Sequence, residues 1–325
     1  MRRGLIVGKF YPLHKGHQYL IETGLKNCDE LTVVVCELKD HTILGEKRAG
    51  WIRELYPQVK VLVKSYDKLD PDSHRVWAKL AIEWMKGKPD VVFTSEWYGE
   101  GWAKAIGCEH LLIDMDRVKF KVSGTMVREN PQKMWKYLAE PVREYFSKRI
   151  CILGAESTGT TTLSMDLANF YQTSWVPEYG RMYSEARKFE TVKGNDSFVE
   201  WRMEDFFHIA KIQNEMEDRL ARKANRILIC DTDSFATNVW HRRYMGKYSK
   251  EVEKLARGRK YDLYIVTDVD IPFVEDGVRD GEKIRKWMHQ EFNQQLKKWG
   301  KKYVLVSGGK EERLKKAIEE IEKII

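Results

Sequence analysis

The sequence predicts an α/β protein of two domains, each built on a mainly parallel sheet. Three observations predict it. Short apolar runs of β type alternate with segments whose apolar residues recur at spacings of three and four, the pattern of successive βαβ units. The alternation restarts once, just after Ser147. The chain has 325 residues, the length of two domains at roughly 100–200 residues each. The expected domains are residues 1–147 and 148–325.

In the first half the strands are expected at residues 4–7, 31–37, 60–63, 90–94 and 110–113. Between them lie helical segments; Leu20, Ile21, Gly24 and Leu25 make the apolar stripe of the first. A helix over 132–146 is expected to close the domain, with Tyr145-Phe146-Ser147-Lys148 as the junction. In the second half strands are expected at 149–154, 174–177, 226–230, 261–266 and 303–306. The longest helix is expected over 197–223, and a charged amphipathic helix ends the chain.

Composition narrows the class. Apolar residues make up 42%, and 11 Trp and 15 Tyr exclude a disordered chain. Lys and Arg exceed Asp and Glu by 57 to 49, a net charge of +8. A basic protein suits polyanionic substrates, but the charges are dispersed and the run 315–323 alternates in sign. Nucleic-acid binding needs a clustered patch and is not expected. The five cysteines have no CxxC spacing, which points to reduced thiols and a cytoplasmic protein. Cys36, Cys151 and Cys230 lie in apolar runs and are expected in the core. The opening run Leu5-Ile6-Val7-Gly8 is too short for a signal segment. No apolar stretch reaches the roughly eighteen residues of a membrane span.

Two motifs carry chemistry. The first strand feeds Gly8-Lys9-Phe10-Tyr11-Pro12-Leu13-His14-Lys15-Gly16-His17. A helix N-terminus presents free N–H groups and partial positive charge to phosphates. Gly16 lets the backbone approach a ligand, and His14 and His17 can both donate to one polyphosphate. A metal reading lacks a third ligand nearby. Further on, Val122-Ser123-Gly124-Thr125-Met126-Val127-Arg128 opens another helix, which Ser123 and Thr125 can cap. Arg128 lies one turn in, within reach of the same anion.

The second motif is Gly154-Ala155-Glu156-Ser157-Thr158-Gly159-Thr160-Thr161-Thr162, after a strand and at the start of a helix. Its G-x-x-x-x-G frame is that of a phosphate loop, whose N–H groups cradle the anion. Thr161 stands where the hydroxyl ligand of Mg2+ belongs. Thr160 stands where a lysine should supply charge to the β- and γ-phosphates. Such a loop could bind nothing, bind without reacting, or work with charge supplied by Arg181, Arg279 or another cation. Asp231 and Asp233 follow an apolar strand, as in a Walker B element. Residues 274–279 make a turn suited to a lid, and 304–307 run into Gly308-Gly309.

The strand–HxGH–helix arrangement with its Ser-x-Thr-x-x-Arg segment resembles the HxGH nucleotidyltransferase superfamily. The stretches GKFYPLHKGH, VFTSEWYG and VSGTMVREN are similar to nicotinamide-mononucleotide adenylyltransferases of the NadR type. The order of the later motifs resembles nucleoside and nucleotide kinases. Essentially the whole chain resembles the bifunctional NadR family of adenylyltransferase/ribosylnicotinamide kinases. It starts at the transferase strand, so the resemblance gives no support for the helix-turn-helix repressor domain of enteric members.

That resemblance implies a Rossmann-like transferase domain followed by a P-loop kinase domain. It implies adenylyl transfer from ATP to nicotinamide mononucleotide, giving NAD, and phosphorylation of nicotinamide riboside by ATP, with Mg2+ as cofactor. The implied ATP contacts of the first domain are Gly8, Lys9, Phe10, His14, His17, Ser123, Thr125 and Arg128, with His14, His17 and Arg128 stabilising charge. Trp97, Trp102 and Trp135 are candidates to stack on nicotinamide, though core positions suit them better. In the second domain Glu178 is the implied general base, Asp231 and Thr161 hold Mg2+, Tyr179, Arg181 and Asp233 hold the nucleoside, and Arg279 closes over the phosphates. Two alternatives stay open: an adenylyltransferase with a nucleotide-sensing second domain, and a nucleotidyltransferase for another acceptor such as phosphopantetheine. A homo-oligomer also stays open, and no membrane partner is expected.

Overall fold

The computed structural model describes residues 1–66, 73–191, 201–274 and 282–325. The chain divides into two compact units, Met1–Val142 and Arg143–Ile325. In the first the order is β1 (Arg3–Gly8), α1 (Lys15–Asn27), β2 (Glu30–Glu37), α2 (Gly45–Leu55), β3 (Lys60–Ser65), α3 (His74–Met85), β4 (Val91–Thr94), α4 (Gly99–Ile106), β5 (Glu109–Leu112) and α5 (Gly124–Glu129). A 3-10 turn, Trp135–Tyr137, and α6 (Glu140–Phe146) follow.

The five strands form one parallel sheet in the order β3-β2-β1-β4-β5. Leu5 of β1 lies opposite Thr32 of β2 and Val92 of β4. The β2 sequence ELTVVVCE buries both of its faces, as a strand covered by helices on each side must. Leu5, Val34, Cys36 and Val92 pack against Ala81, Trp84, Met85, Trp102 and Ile106 of α3 and α4. Burying side chains of this size contributes roughly 1.5–3 kcal/mol each. Trp102 and Trp135 are buried and belong to the core.

The second unit runs β6 (Lys148–Leu153), α7 (Thr160–Tyr171), β7 (Trp175–Val176), α8 (Tyr179–Thr191), α9 (Met203–Ala221), β8 (Ile227–Asp231), α10 (Ser234–Met245), α11 (Lys250–Arg257), β9 (Leu263–Thr267), a 3-10 turn Glu282–Ile284, α12 (Arg285–Lys298), β10 (Tyr303–Val306) and α13 (Lys310–Glu322). Its parallel sheet has the order β10-β9-β6-β8-β7. Ile150, Ile152, Ile229 and Ile265 pack on one face against Leu163 and Leu167 of α7 and Ala317 and Ile321 of α13. Cys151, Cys230, Tyr264 and Val266 pack on the other against Phe235, Met288 and Phe292. All five cysteines are free thiols.

Three expected elements come out differently. The helix over 132–146 is broken into a 3-10 turn and α6. Pro141 cannot donate to a preceding carbonyl, so α6 starts at its own first turn. The helix expected from 197 begins at Met203, because the Asp205 carboxylate accepts from the Arg202 N–H at 2.8 Å and fixes the first turn there; residues 197–200 lie outside the described residues. The strand at 174–177 is reduced to Trp175–Val176, with Pro177 unable to donate to the ladder.

Candidate functional site

In the first unit β1 lies between β2 and β4, so the direction of strand addition reverses at its carboxyl end. Open α/β sheets take their ligands in that crevice. Phe10 leaves β1 at φ +45° and its ring closes over Gly8, where an added Cβ would lie 3.2 Å from it. His14 then occupies the N-cap of α1, and its carbonyl accepts from Gln18 N at 3.0 Å.

The His14 and His17 rings stack, with centroids 3.7 Å apart and planes inclined by 23°. His17 also meets the Phe10 ring at 4.9 Å. Burial, reinforced by the Arg117 charge, pushes His14 down to about 3. Burial, then the charges of His14 and Arg117, holds His17 well below the ordinary imidazole value, against an opposing bond to the Pro12 backbone. Both rings are therefore neutral at pH 7, each with one donor and one acceptor nitrogen. Both Nδ1 atoms are buried without a hydrogen-bond partner.

The segment after β5 approaches this loop. Ser123 caps α5, its Oγ accepting from Met126 N at 3.2 Å. Thr125, expected as a second cap, lies inside α5 and its hydroxyl instead accepts from Arg128 Nη2 at 3.1 Å. Arg128 Nη1 donates to the Tyr11 carbonyl at 2.5 Å, and the guanidinium lies 4.4 Å from the Tyr11 ring centroid. Gly124 is required by contact: an added Cβ would sit 2.4 Å from the Tyr11 carbonyl oxygen. Lys9 is exposed, and Trp97 is 65% exposed.

Two residues here escaped sequence reasoning. Arg48 of α2 is fully buried. Its guanidinium donates to the carbonyls of Ile43 at 2.9 Å and Cys36 at 3.0 Å, and to that of Lys9, with Glu37 at 3.8 Å. It pins the loop after β1 to the end of β2. Arg117 biases both imidazoles and pairs with Glu96 at 3.9 Å. In the sequence both arginines stand among other charges at surface-like spacing, so no local signal marks them.

In the second unit β6 likewise lies between β8 and β9, and the Gly154–Gly159 loop leaves its carboxyl end. Gly159 has φ +78°. A Cβ on Gly154 would meet Thr267 Oγ1 at 2.1 Å and Thr158 Oγ1 at 2.3 Å. Thr267 donates to Thr158 Oγ1 at 2.7 Å, and Thr158 to the Ala155 carbonyl at 2.6 Å. Arg313 of α13 donates to the carbonyls of Thr158 at 2.5 Å and Gly308 at 2.8 Å and pairs with Asp270.

Thr161 Oγ1 donates to Asp231 Oδ2 at 2.6 Å. Burial pushes Asp231 up to about 6, against the hydroxyls of Thr161 and Thr160 and the charge of Arg181. A hydroxyl and one carboxylate are hard oxygen donors, which fit Mg2+ when substrate phosphates complete the shell. Among the described residues no group of three or more His, Cys, Asp or Glu could hold a metal by itself.

Glu178 is half-buried, two residues past β7. The next residue, Tyr179, donates its N–H to Gln213 Oε1 at 2.9 Å. Its ring lies 5.9 Å from that of His208, and Tyr183 lies 5.6 Å from the same ring. Tyr183 also stacks with Trp201 at 6.4 Å. This aromatic wall beside Glu178 was not anticipated. Arg181 pairs with Glu185 at 3.1 Å. Asp233, expected at the nucleoside, is fully buried, caps α10 by accepting from Ala236 N at 2.8 Å, and accepts from the Tyr264 hydroxyl at 2.9 Å. Arg279 lies outside the described residues. Of the expected lid, Val274 donates its N–H to Ser157 Oγ at 2.7 Å.

Residues 149–313, just over half the chain, match the AAA domain family. The trifunctional NAD biosynthesis/regulator protein NadR of Escherichia coli (strain K12) is 29% identical over 297 residues, 85% of this chain and 71% of that protein. A crystal structure of NadR protein in complex with NAD and AMP-PNP superimposes with a TM-score of 0.78 at 26% identity, covering 99% of this chain and 95% of that one. A crystal structure of NadR protein in complex with NR shares the fold, with a TM-score of 0.79 at 24% identity and the same coverage. The chain thus belongs to the AAA domain family through its second unit, and over most of its length it is a homologue of the NadR proteins.

Proposed function

We propose that the chain makes NAD in two steps, one per unit. The second unit transfers the γ-phosphoryl group of ATP to the 5′-hydroxyl of nicotinamide riboside. The first transfers the adenylyl group of ATP to the resulting mononucleotide and releases pyrophosphate. The observation that carries the reading is the stacked, neutral His14–His17 pair at the N-terminus of α1, where the strand order reverses. The NadR relatives, one described with NAD and AMP-PNP and one with NR, support it.

In the first unit the mononucleotide's phosphate oxygen attacks the α-phosphorus directly, so no protein nucleophile is used. Catalysis is positioning and charge stabilisation. The free N–H groups of α1 and one N–H from each imidazole point at the triphosphate, and Arg128 adds charge from α5. The neutral imidazoles keep those N–H donors on the phosphate oxygens as negative charge builds on the departing pyrophosphate.

In the second unit the loop's N–H groups cradle the β- and γ-phosphates. Mg2+, held by Thr161 and Asp231, would neutralise charge on the phosphates when bound. Glu178 accepts the proton of the attacking 5′-hydroxyl as the bond to the leaving ADP breaks. Tyr179 and Arg181 flank the nucleoside. On this reading the enzyme works in the cytoplasm, in keeping with its free thiols; among the described residues no helix is long and apolar enough to cross a membrane.

The test is a product assay of the full chain with ATP, Mg2+ and either nicotinamide riboside or its mononucleotide. NAD should form from both. Conversion of the mononucleotide alone would favour a second unit that only senses nucleotide. No product from either would refute the proposal.

A further inference from the structure

The first unit brings a third imidazole to the loop that carries His14. His41 follows β2, in the segment that leads to α2. β1 and β2 are parallel, so the segments after them leave the same end of the sheet, the end at which open α/β sheets take their ligands. Tyr11 ties the two segments together. Its hydroxyl meets Thr42 Oγ1 at 2.7 Å and accepts from Thr42 N at 2.9 Å. Its ring stacks on that of His41, with centroids 4.4 Å apart and planes inclined by 25°. The Arg128 guanidinium lies 4.4 Å from the same Tyr11 centroid. His41 and Arg128 are thus no further apart than twice that distance, close enough for the oxygens of one triphosphate to meet both.

The partners of His41 decide which nitrogen carries its proton. Nδ1 lies 3.3 Å from Leu38 N and 3.2 Å from Arg48 Nη2. A backbone N–H and a guanidinium can only donate, so Nδ1 accepts. Burial and the Arg48 charge, helped by Lys9, hold the ring below the ordinary imidazole value against Asp40 and Glu37. The ring is therefore neutral at pH 7 and its one proton is on Nε2. The His41 N–H donates to the Leu38 carbonyl at 3.1 Å, which closes the turn beneath the ring. Among the described residues nothing accepts from Nε2, and the half-buried ring leaves that atom open. A donor of fixed tautomer and fixed orientation is thus presented beside Arg128 with its hydrogen bond unmade.

Resting on the reading of the first unit as an adenylyltransferase, we infer that His41 donates from Nε2 to a phosphate oxygen of ATP, as a third neutral imidazole beside His14 and His17. Arg48 is fully buried and acts on the phosphates only through the ring that it orients.

The experiment uses the full chain with His41→Ala, His41→Asn and His41→Gln. The asparagine keeps an acceptor where Nδ1 lies but falls short of Nε2; the glutamine carries an amide N–H to about where Nε2 lies. Two readouts are taken: kcat/KM for ATP in NAD formation from the mononucleotide, and protection of residues 38–44 from hydrogen exchange by α,β-methylene-ATP. His41→Ala and His41→Asn should each lower kcat/KM by roughly 10- to 100-fold, the lower range for loss of one donor to developing charge, and should remove the protection with Tm unchanged. His41→Gln should stay within about fivefold of wild type. A ring that only holds its turn together gives the opposite order, with the asparagine tolerated and the glutamine not. His41→Asn activity within about threefold of wild type would overturn the inference, and so would a His41→Gln loss as large as that of His41→Ala. Protection by the mononucleotide and not by the ATP analogue would also overturn it. If wild type forms no NAD, protection by the analogue decides. Protection lost in His41→Asn and kept in His41→Gln upholds the inference while the adenylyltransferase reading fails. Equal protection in wild type and His41→Asn defeats the inference, and no protection in a wild type that forms no NAD defeats both.

Discussion

Gly124→Ala is a small change whose effect can be worked from one distance. The new Cβ would sit 2.4 Å from the Tyr11 carbonyl oxygen and 3.3 Å from Arg128 Nη1. Carbon–oxygen contacts under about 3.0 Å essentially do not occur, so the loop must retreat by at least 3.0 − 2.4, or about 0.6 Å. Gly124 is the first residue of α5, and alanine favours a helix by up to about 1 kcal/mol. Overpacking of this kind costs about 1–3 kcal/mol. The net is a destabilisation of about 0–2 kcal/mol, a loss of only a few degrees in Tm for a domain of this size. Folding therefore survives while the loop between β1 and α1, which carries His14, is displaced from Arg128. A misplacement approaching 1 Å can cost about 10²-fold in rate, so adenylyl transfer should fall by roughly 10- to 100-fold. The assay is NAD formation from the mononucleotide, with phosphorylation of the riboside as an internal control that should not change. Adenylyl transfer within threefold of wild type, in a protein of unchanged melting temperature, would show that contact between α5 and this loop does not set the site's geometry.

Other expectations follow from the same reasoning. His17→Ala removes one donor from the neutral pair and should cost on the order of 10²-fold or more in adenylyl transfer; an unchanged rate sinks the site assignment. Burial lifts Asp233 to about 7, above its unfolded value of about 3.9. Its contribution to stability is thus fully present below that value and lost as pH rises through about 7. Asp233→Asn should flatten this dependence in urea titrations followed by tryptophan fluorescence, and a pH dependence as steep as wild type would contradict it. A fragment of residues 1–147 should fold and keep adenylyl transfer; a random-coil circular dichroism spectrum would exclude this.

Where a single physical rule governs an element, the sequence showed it. The β-branched run Thr32–Val35 reads as a strand, and HxGH directly after a strand reads as the start of a helix. Gly154 and Gly159 likewise fixed the phosphate loop. Illegible were contacts made across the chain. Nothing near Arg48 says that its charge is spent indoors, because a buried arginine and a surface arginine look alike in helical spacing. Asp233 reads as a ligand because, with Asp231, it ends an apolar strand as acids of a Walker B element do; the sequence does not show that it accepts from the Ala236 N–H and the Tyr264 hydroxyl. Apolar periodicity runs on across 132–146, but Pro141 interrupts the helix that it predicts.

The grip of Arg313 on Thr158 also bears on how the protein is made. The two residues are 155 positions apart, and Thr267, which holds the Thr158 hydroxyl, is 109 away. A chain emerging from the ribosome has the whole Gly154–Gly159 sequence long before it has either clamp. Closing so long a loop is entropically costly, so the loop cannot reach its clamped geometry until both partners have been made. A chain stopped before α13 would carry the motif in full and lack the Arg313 clamp on its geometry.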